Sequence, residues 1–381
     1  MVSSRVNGIN ESATVSMSNK AAELKEAGKT IYSFGIGEPD FTTPEEIIDY
    51  AFKEAKAGKT HYTPSAGIME LRQKIAEKMK RKNGIDATAS NVLVTPTKFS
   101  LNLALYSLID PGEEVLLPAP YYVSYPDIIK LNQGKMVTVP TDENYELDFD
   151  SLGKYVSPKT RVFMLNNPVN PTGKVYSEKS LRKLSDFIIE NNLYLISDEI
   201  YEDLVYKGKM FSPGSIEEMK DRTVTLSGFS KSYAMTGWRI GYMVAPVDVI
   251  KAANKVQQQT LTCAPSISQY GAMKALENEE SVTKMKMEFE KRRNLAVSLL
   301  KEINDLSFYE PEGAFYIFPG YSIDRSDDAI SLDLLEKQNV IVTPGSPFGA
   351  EKHFRISYAT SEDVIREGIG RIGKYFNGQQ K

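Results

Sequence analysis

The chain has 381 residues, 41% hydrophobic and 25% charged, with 46 Lys and Arg against 50 Asp and Glu for a net charge of −4. That length predicts two domains or one large domain with an appendage, and the composition excludes a disordered, fibrous or membrane-spanning chain. The near-neutral balance, with no basic aromatic stretch, argues against nucleic acid as a partner.

The single cysteine, Cys263, excludes an internal disulfide and a multi-thiolate metal site. His61 and His353 form no H-x-x-x-H pair, so no metal is expected either. The opening MVSSRVNGIN lacks a charged stretch leading into an apolar one, so the expected compartment is the cytoplasm.

From the N terminus, one amphipathic helix over about 19–27 leads into the extended stretch GIGEPDF at 35–41. Between about 90 and 260, seven short apolar runs alternate with helical patterns: VLV at 92–94, VLL at 115–117, MVTV at 136–139, VFML at 162–165, LYLI at 193–196, VTL at 224–226 and IGYMV at 240–244. This alternation predicts an α/β fold, with a large, mostly parallel seven-stranded sheet flanked by helices. After about 280 a charged helical stretch (284–293) leads into strand-like AFYIF at 314–318, VIV at 340–342 and HFRIS at 353–357, the texture of a smaller α+β domain. The expected division is therefore an N-terminal segment, 1–44, packing with the small domain; a large domain, 45–283; and a small C-terminal domain, 284–381.

Polar groups follow several runs directly, where open α/β sheets bind ligands. Lys231, just after 224–226 and set among Ser230, Ser232 and Tyr233, is placed for the partial desolvation that lowers an amine's pKa and permits Schiff-base formation. Taken alone, such a lysine is more commonly a solvated surface residue. Asp198 follows 193–196 with Tyr201 three residues on; a carboxylate there can pair with a protonated pyridine nitrogen or simply cap a helix. Asn170 lies in the turn-rich NPVNPTG at 167–173. Arg355 has apolar neighbours on both sides, and its planar fork suits a carboxylate. Trp238 reads as core, His61 as a local hydrogen-bonding group and Cys263 as a small packed residue. Other chemistries lose support: the 35–37 GIG lacks the third glycine of a dinucleotide loop, GKT at 58–60 has Lys53 where a P-loop needs glycine, and no G-x-S-x-G occurs.

As an ordered set, GEPDF (37–41), HYTPSAG (61–67), NPVNPTG (167–173), SDEIYEDLVY (197–206), SGFSKSYAMTGWRIGY (227–242) and FRISYA (354–359) resemble the class I aminotransferases of fold type I. Within these the chain is most similar to the prokaryotic-type branch that includes bacterial and archaeal aspartate aminotransferases. The resemblance implies pyridoxal 5′-phosphate as cofactor, with Lys231 as its Schiff-base lysine, Asp198 on the pyridine nitrogen, Tyr201 and Asn170 on the phenolic oxygen, and Tyr122 stacked on the ring. It implies Arg239 and Ser230 as phosphate contacts, joined by Tyr62 from the partner subunit of a homodimer. Arg355 is implied to grip the substrate α-carboxylate, with Gly37 and Asn170 in support.

The chain departs from the family at VTPTKFS (94–100), where a glycine-containing phosphate loop is usual. Proline has no N–H to offer, which leaves the Thr97 hydroxyl and the Lys98 and Phe99 amides for the phosphate. Lys98 also aligns with a lysine on the distal carboxylate in aspartate-specific members, and Thr14 lies in a stretch similar to their substrate-covering segment. The expected reaction is ping-pong transfer from L-aspartate to 2-oxoglutarate. Aromatic, alanine or broad-range transamination, or β-lyase chemistry, are the alternatives on the same scaffold. A non-enzymatic cofactor-binding regulator has little support, because only about 35 residues precede GEPDF and none reads as a recognition helix.

Overall fold

A computed structural model describes residues 2–11, 19–20, 22–24, 26 and 28–378. Of the helix expected over 19–27, residues 19, 20, 22–24 and 26 are helical; Thr14 lies outside the described residues. No helix among the described residues is long and apolar enough to cross a membrane.

A short strand β1 (Tyr32–Ser33) precedes the seven strands of the main sheet: β2 (Val92–Val94), β3 (Glu114–Pro118), β4 (Lys135–Val139), β5 (Thr160–Asn166), β6 (Tyr194–Asp198), β7 (Thr223–Gly228) and β8 (Gly241–Val244). Their order is β2-β8-β7-β6-β5-β3-β4. All neighbours are parallel except where β8 runs antiparallel between β7 and β2. The seven runs expected from the sequence thus form one sheet; all but the edge strand β4 are buried on both faces, which demands continuous apolar segments. Alternation divides them: Val115, Leu117, Val162, Met164, Ile196, Val224 and Leu226 pack with the helices Thr97–Leu108, Tyr125–Leu131 and Val247–Thr260. Leu116, Phe163, Leu165 and Leu195 meet Leu181, Leu184 and Ile188 of the helix Glu178–Glu190 on the other face.

The charged stretch expected to be helical over 284–293 is the middle of a longer helix, Glu279–Leu300, capped by the Asn278 side chain on the Ser281 N–H (3.1 Å). It gives Val282 to the core that contains β2 and β8, and Met285, Phe289 and Leu300 to a second core around β10 (Tyr316–Ile317, with β9 at Leu306–Ser307 before it). The strand expected over 314–318 shrinks to two residues because Ala314 takes φ +57° and gives its N–H to the Leu204 carbonyl (2.8 Å). Then come β11 (Gly320–Tyr321), β12 (Val340–Ile341), β13 (Thr343–Pro344) and β14 (Phe354–Ser357), with β14 central between β10 and β13. β1 pairs in parallel with β12, and Phe34 enters the second core.

Gly173, in the turn after β5, packs against the 311–313 segment that leads into β10. Its φ is +70°, its carbonyl accepts the N–H groups of Glu312 (2.8 Å) and Gly313 (2.9 Å), and a Cβ there would meet Pro311 Cβ at 2.3 Å. The left-handed backbone and the overpacking together predict that Gly173→Ala loses about 2–4 kcal/mol of stability. Urea unfolding of both proteins measures this; an unchanged midpoint would show that the junction yields freely.

Candidate active site

The carboxyl ends of β5, β6 and β7 open onto a cavity of about 440 Å3. Around it stand Asn170, Asp198, Tyr201, Ser230, Lys231 and Arg239 from the strand-end loops, Thr97 and Lys98 from the start of the helix Thr97–Leu108, Tyr122, Gly37 and, from β14, Arg355. Eleven residues singled out in the sequence therefore meet in one place.

Three do not. Phe99 is the third residue of its helix, so its N–H, expected to face a phosphate, already bonds the Pro96 carbonyl (2.8 Å), and its ring packs on the sheet core. Tyr62 is 87% exposed and away from this cavity. Thr14 is not among the described residues. His61 is exposed, and Trp238 is half-buried against the core, with its indole N–H on Thr43 Oγ1 (3.0 Å).

Arg355 is 1% exposed, lying between the rings of Tyr316 (4.5 Å) and Phe348 (5.1 Å). Its Nη1 donates to Asn170 Oδ1 (3.1 Å) and its Nη2 to the Gly35 carbonyl (2.8 Å), while the buried Nε has no partner. Its protein partners are therefore neutral dipoles only. A desolvated guanidinium of this kind is strongly disposed to take an anion from outside the chain.

Lys231 Nζ donates to the Gly37 carbonyl at 2.6 Å. Burial brings its pKa down to about 8; Arg355 and Arg239 add repulsion, and Glu38 and Asp198 pull the other way. At neutral pH the neutral amine is enriched by about two orders of magnitude over an ordinary lysine. Asp198 is pushed up to about 6 by burial, against the Tyr125 hydroxyl on Oδ2 (2.8 Å), the Ile200 N–H on Oδ1 (3.3 Å) and the charge of Lys231. Tyr201 shares a hydrogen bond with the Tyr316 hydroxyl (2.8 Å), and burial keeps its phenol neutral. Arg239, with φ +53°, is anchored by Nη1 on the Thr236 carbonyl (2.7 Å), and the Thr236 hydroxyl donates to Glu38 (2.8 Å).

Sequence reasoning passed over Tyr125, Tyr316, Asn166 and Glu38, all on the cavity wall. Tyr125 had a signal: it follows Tyr122 by three residues and opens the helix Tyr125–Leu131, so both rings reach the same region (5.4 Å apart, edge to face). Asn166 ends β5 and gives its amide to the Asp198 carbonyl (2.9 Å) while accepting the Asn170 N–H (2.7 Å), which ties the Asn170 turn to β6.

A lysine amine and a buried carboxyl at the ends of a mostly parallel sheet, faced by a buried guanidinium from β14, define a site for amino-group chemistry on a carboxylate-bearing substrate. The chain belongs to the aminotransferase class I and II family, whose model matches residues 29–372. It is 42% identical over 385 residues to a probable aspartate/prephenate aminotransferase of Aquifex aeolicus, covering 98% of each chain. It is 43% identical over 366 residues to aromatic-amino-acid aminotransferase 2 of Thermococcus litoralis, covering 93% of this chain and 94% of that one. Among solved structures it is similar to the aspartate aminotransferase of Thermus thermophilus with maleate, at a TM-score of 0.95 and 38% identity over 98% of this chain and 99% of that one.

The Asp198 carboxyl makes the stability of the ligand-free protein depend on pH. Between its ordinary value of 3.8 and about 6, the native state keeps a proton that the unfolded chain gives up, so stability falls as pH rises through that window and stays lower above it. Asp198→Asn is expected to gain about 3 kcal/mol over wild type at pH 7 and nothing near pH 3. Urea unfolding at both values checks this, and an equal difference at the two pH values would contradict the assignment.

Proposed function

We propose that this aminotransferase uses pyridoxal 5′-phosphate to move the amino group of L-aspartate to 2-oxoglutarate by a ping-pong route, as a cytoplasmic homodimer. The observation that carries the reading is Arg355, desolvated, held by neutral dipoles and opening on the same cavity as Lys231 and Asp198. In this reading the large domain, 45–283, supplies the cofactor groups, and the small domain, 284–381, with the segment 1–44, supplies the carboxylate grip.

The residues fit the cofactor. Asp198 is a buried acid with no cationic side chain hydrogen-bonded to it, which suits a protonated ring nitrogen. Arg239, Ser230 and Thr97 gather a cation, a hydroxyl and a helix N terminus for a phosphate. Tyr122 is the aromatic wall for the ring, Tyr201 and Asn170 are the donors for its phenolic oxygen, and Lys231 is the amine for its aldehyde. Bound there, pyridoxal phosphate supplies a carbonyl that condenses with amines and an electron sink for charge developing at the substrate Cα.

The chain's own groups divide the remaining work. Arg355, steadied by Asn170 and the Gly35 carbonyl, orients the α-carboxylate. Lys98, 5.8 Å from the Tyr122 ring, stands at the cavity for a second carboxylate. Lys231, with its lowered proton affinity, takes the proton from the substrate Cα and returns it. The buried rings around Arg355 exclude water from the reacting groups. Tyr62, exposed and remote from its own cavity, is free to serve a second copy's phosphate.

The names of similar proteins support both dicarboxylate and aromatic donors, and Lys98 is the residue that separates them. In the decisive experiment, visible spectra of the loaded protein are recorded with L-aspartate or L-tyrosine and no oxo acid. The expected result is a yellow band bleached by aspartate and absent from Lys231→Ala. A band that persists with aspartate and bleaches with tyrosine would overturn the donor; no band after incubation with pyridoxal phosphate would overturn the cofactor. Lys98→Ala is expected to lower kcat/KM for aspartate by about 10–100-fold, the loss of one charged hydrogen bond, and leave tyrosine unchanged; equal losses would remove Lys98 from donor choice. Sedimentation at assay concentration is expected to give a dimer, and a monomer would sink the role given to Tyr62.

A further inference from the structure

A second polar cluster lies in the interior, and none of its members lines the cavity. Lys78, at the end of the helix Met69–Lys78, gives its ammonium to Glu202 Oε1 (2.6 Å) and Asn83 Oδ1 (2.9 Å). The Asn83 amide N–H groups reach Glu202 Oε2 (2.7 Å), Ser212 Oγ (3.0 Å) and Glu199 Oε2 (3.2 Å). Ser197 donates to Glu199 Oε1 (2.9 Å), Ser212 to Glu199 Oε2, and Ser227 of β7 to Glu202 Oε1. Lys78, Asn83, Glu199, Glu202, Ser212 and Ser227 are each 9% exposed or less.

A buried Lys78–Glu202 ion pair, beside a Glu199 carboxyl that burial and Glu202 push up to about 8, is a poor way to gain stability, because apolar residues of the same volume serve as well as such a pair or better. Chain connectivity gives the cluster another role. Glu199 directly follows Asp198, Glu202 directly follows Tyr201, and Ser227 precedes Lys231 by four residues. Within this turn, Asp198 and Tyr201 face the cavity, while the carboxylates of Glu199 and Glu202 are held in the cluster. The turn's backbone is tied by Glu202 N–H on the Glu199 carbonyl (2.9 Å), Leu204 N–H on that of Tyr201 (2.8 Å), Glu199 N–H on that of Leu226 (2.8 Å) and Asn167 N–H on that of Asp198 (2.9 Å), and its inward side chains are held by Tyr125 and Tyr316. On the outward side the grip on Glu199 and Glu202 comes from the cluster.

We propose that Glu199 and Glu202, gripped by Lys78, Asn83, Ser212 and Ser227, are positioning residues that hold the 198–202 turn and the end of β7 in one register, so that Asp198, Tyr201 and Lys231 converge. This rests on the reading of those three as the working groups. Arg355 stands on β14, outside the cluster, so loosening the cluster lowers kcat far more than it raises KM for the amino acid.

The test compares wild type with the double variant Lys78→Met/Glu202→Leu, which replaces the ion pair by apolar volume, and with the milder Ser227→Ala. Urea unfolding, hydrogen–deuterium exchange of cofactor-free protein, and kcat and KM for L-aspartate are measured on all three. The double variant leaves Asn83 and the Ser227 hydroxyl short of partners, so its urea midpoint is expected to fall modestly, while exchange rises about ten-fold in peptides covering 198–203 and 227–232 with no change over β4. Its kcat is expected to fall about ten-fold, with KM for aspartate within about three-fold. Ser227→Ala moves the same quantities in the same direction by about three-fold and decides the matter if the double variant does not fold. A folded variant with wild-type local exchange and wild-type kcat overturns the proposal. A wild type that never transaminates aspartate overturns the donor reading instead, and the exchange comparison still decides the cluster.

Discussion

A guanidinium removed from water without an anion must be stabilised by whatever dipoles and rings surround it, and Arg355 sets this requirement for the whole site. Asn170, the Gly35 carbonyl, Tyr316 and Phe348 meet it from four parts of the chain. The Asn170 turn is in turn fixed by Asn166 at the end of β5, and Gly35 lies just past the strand pairing that draws the N-terminal segment onto β12. The arrangement leaves the guanidinium electrostatically unsatisfied by the chain itself, with Nε unpartnered.

The same field acts on the other two ionisable groups. Arg355 and Arg239 repel the Lys231 proton, while burial raises Asp198 until a cation faces it. A base with lowered proton affinity and an acid with raised affinity are thereby set apart within one cavity, the pattern by which environments divide roles between titratable groups.

Much of this was legible in the residues. The seven strands announced themselves because a sheet covered on both faces needs unbroken apolar runs, and Asp198 and Lys231 stood out because they follow such runs directly. Lys231 and Arg355 owe part of their prominence to chemistry that surface residues of the same type lack. Tyr125 and Tyr316 were passed over because a buried tyrosine reads the same whether it packs a core or directs a carboxyl; only the hydrogen bonds to Asp198 and Tyr201 distinguish them. Sequence does not say at which residue a helix begins bonding to itself, and here Pro96 already accepts the Phe99 N–H that the sequence offered to a phosphate. The shortened β10 follows from the positive φ of Ala314, a conformation that alanine's identity does not signal.

The pairing of β1 with β12 also bears on the order in which the protein is completed during synthesis. Tyr32 and Ser33 lie against Val340 and Ile341, and the Gly35 carbonyl waits for a guanidinium 320 residues further on. The part of the cavity wall built from residues 97–239 can assemble while the ribosome is still translating, but the N-terminal strand has no partner until almost the whole message has been read. A nascent chain therefore carries this strand unpaired for most of its translation, and a truncated product ending before Arg355 would hold the amine and the acid without the buried guanidinium that shares their cavity.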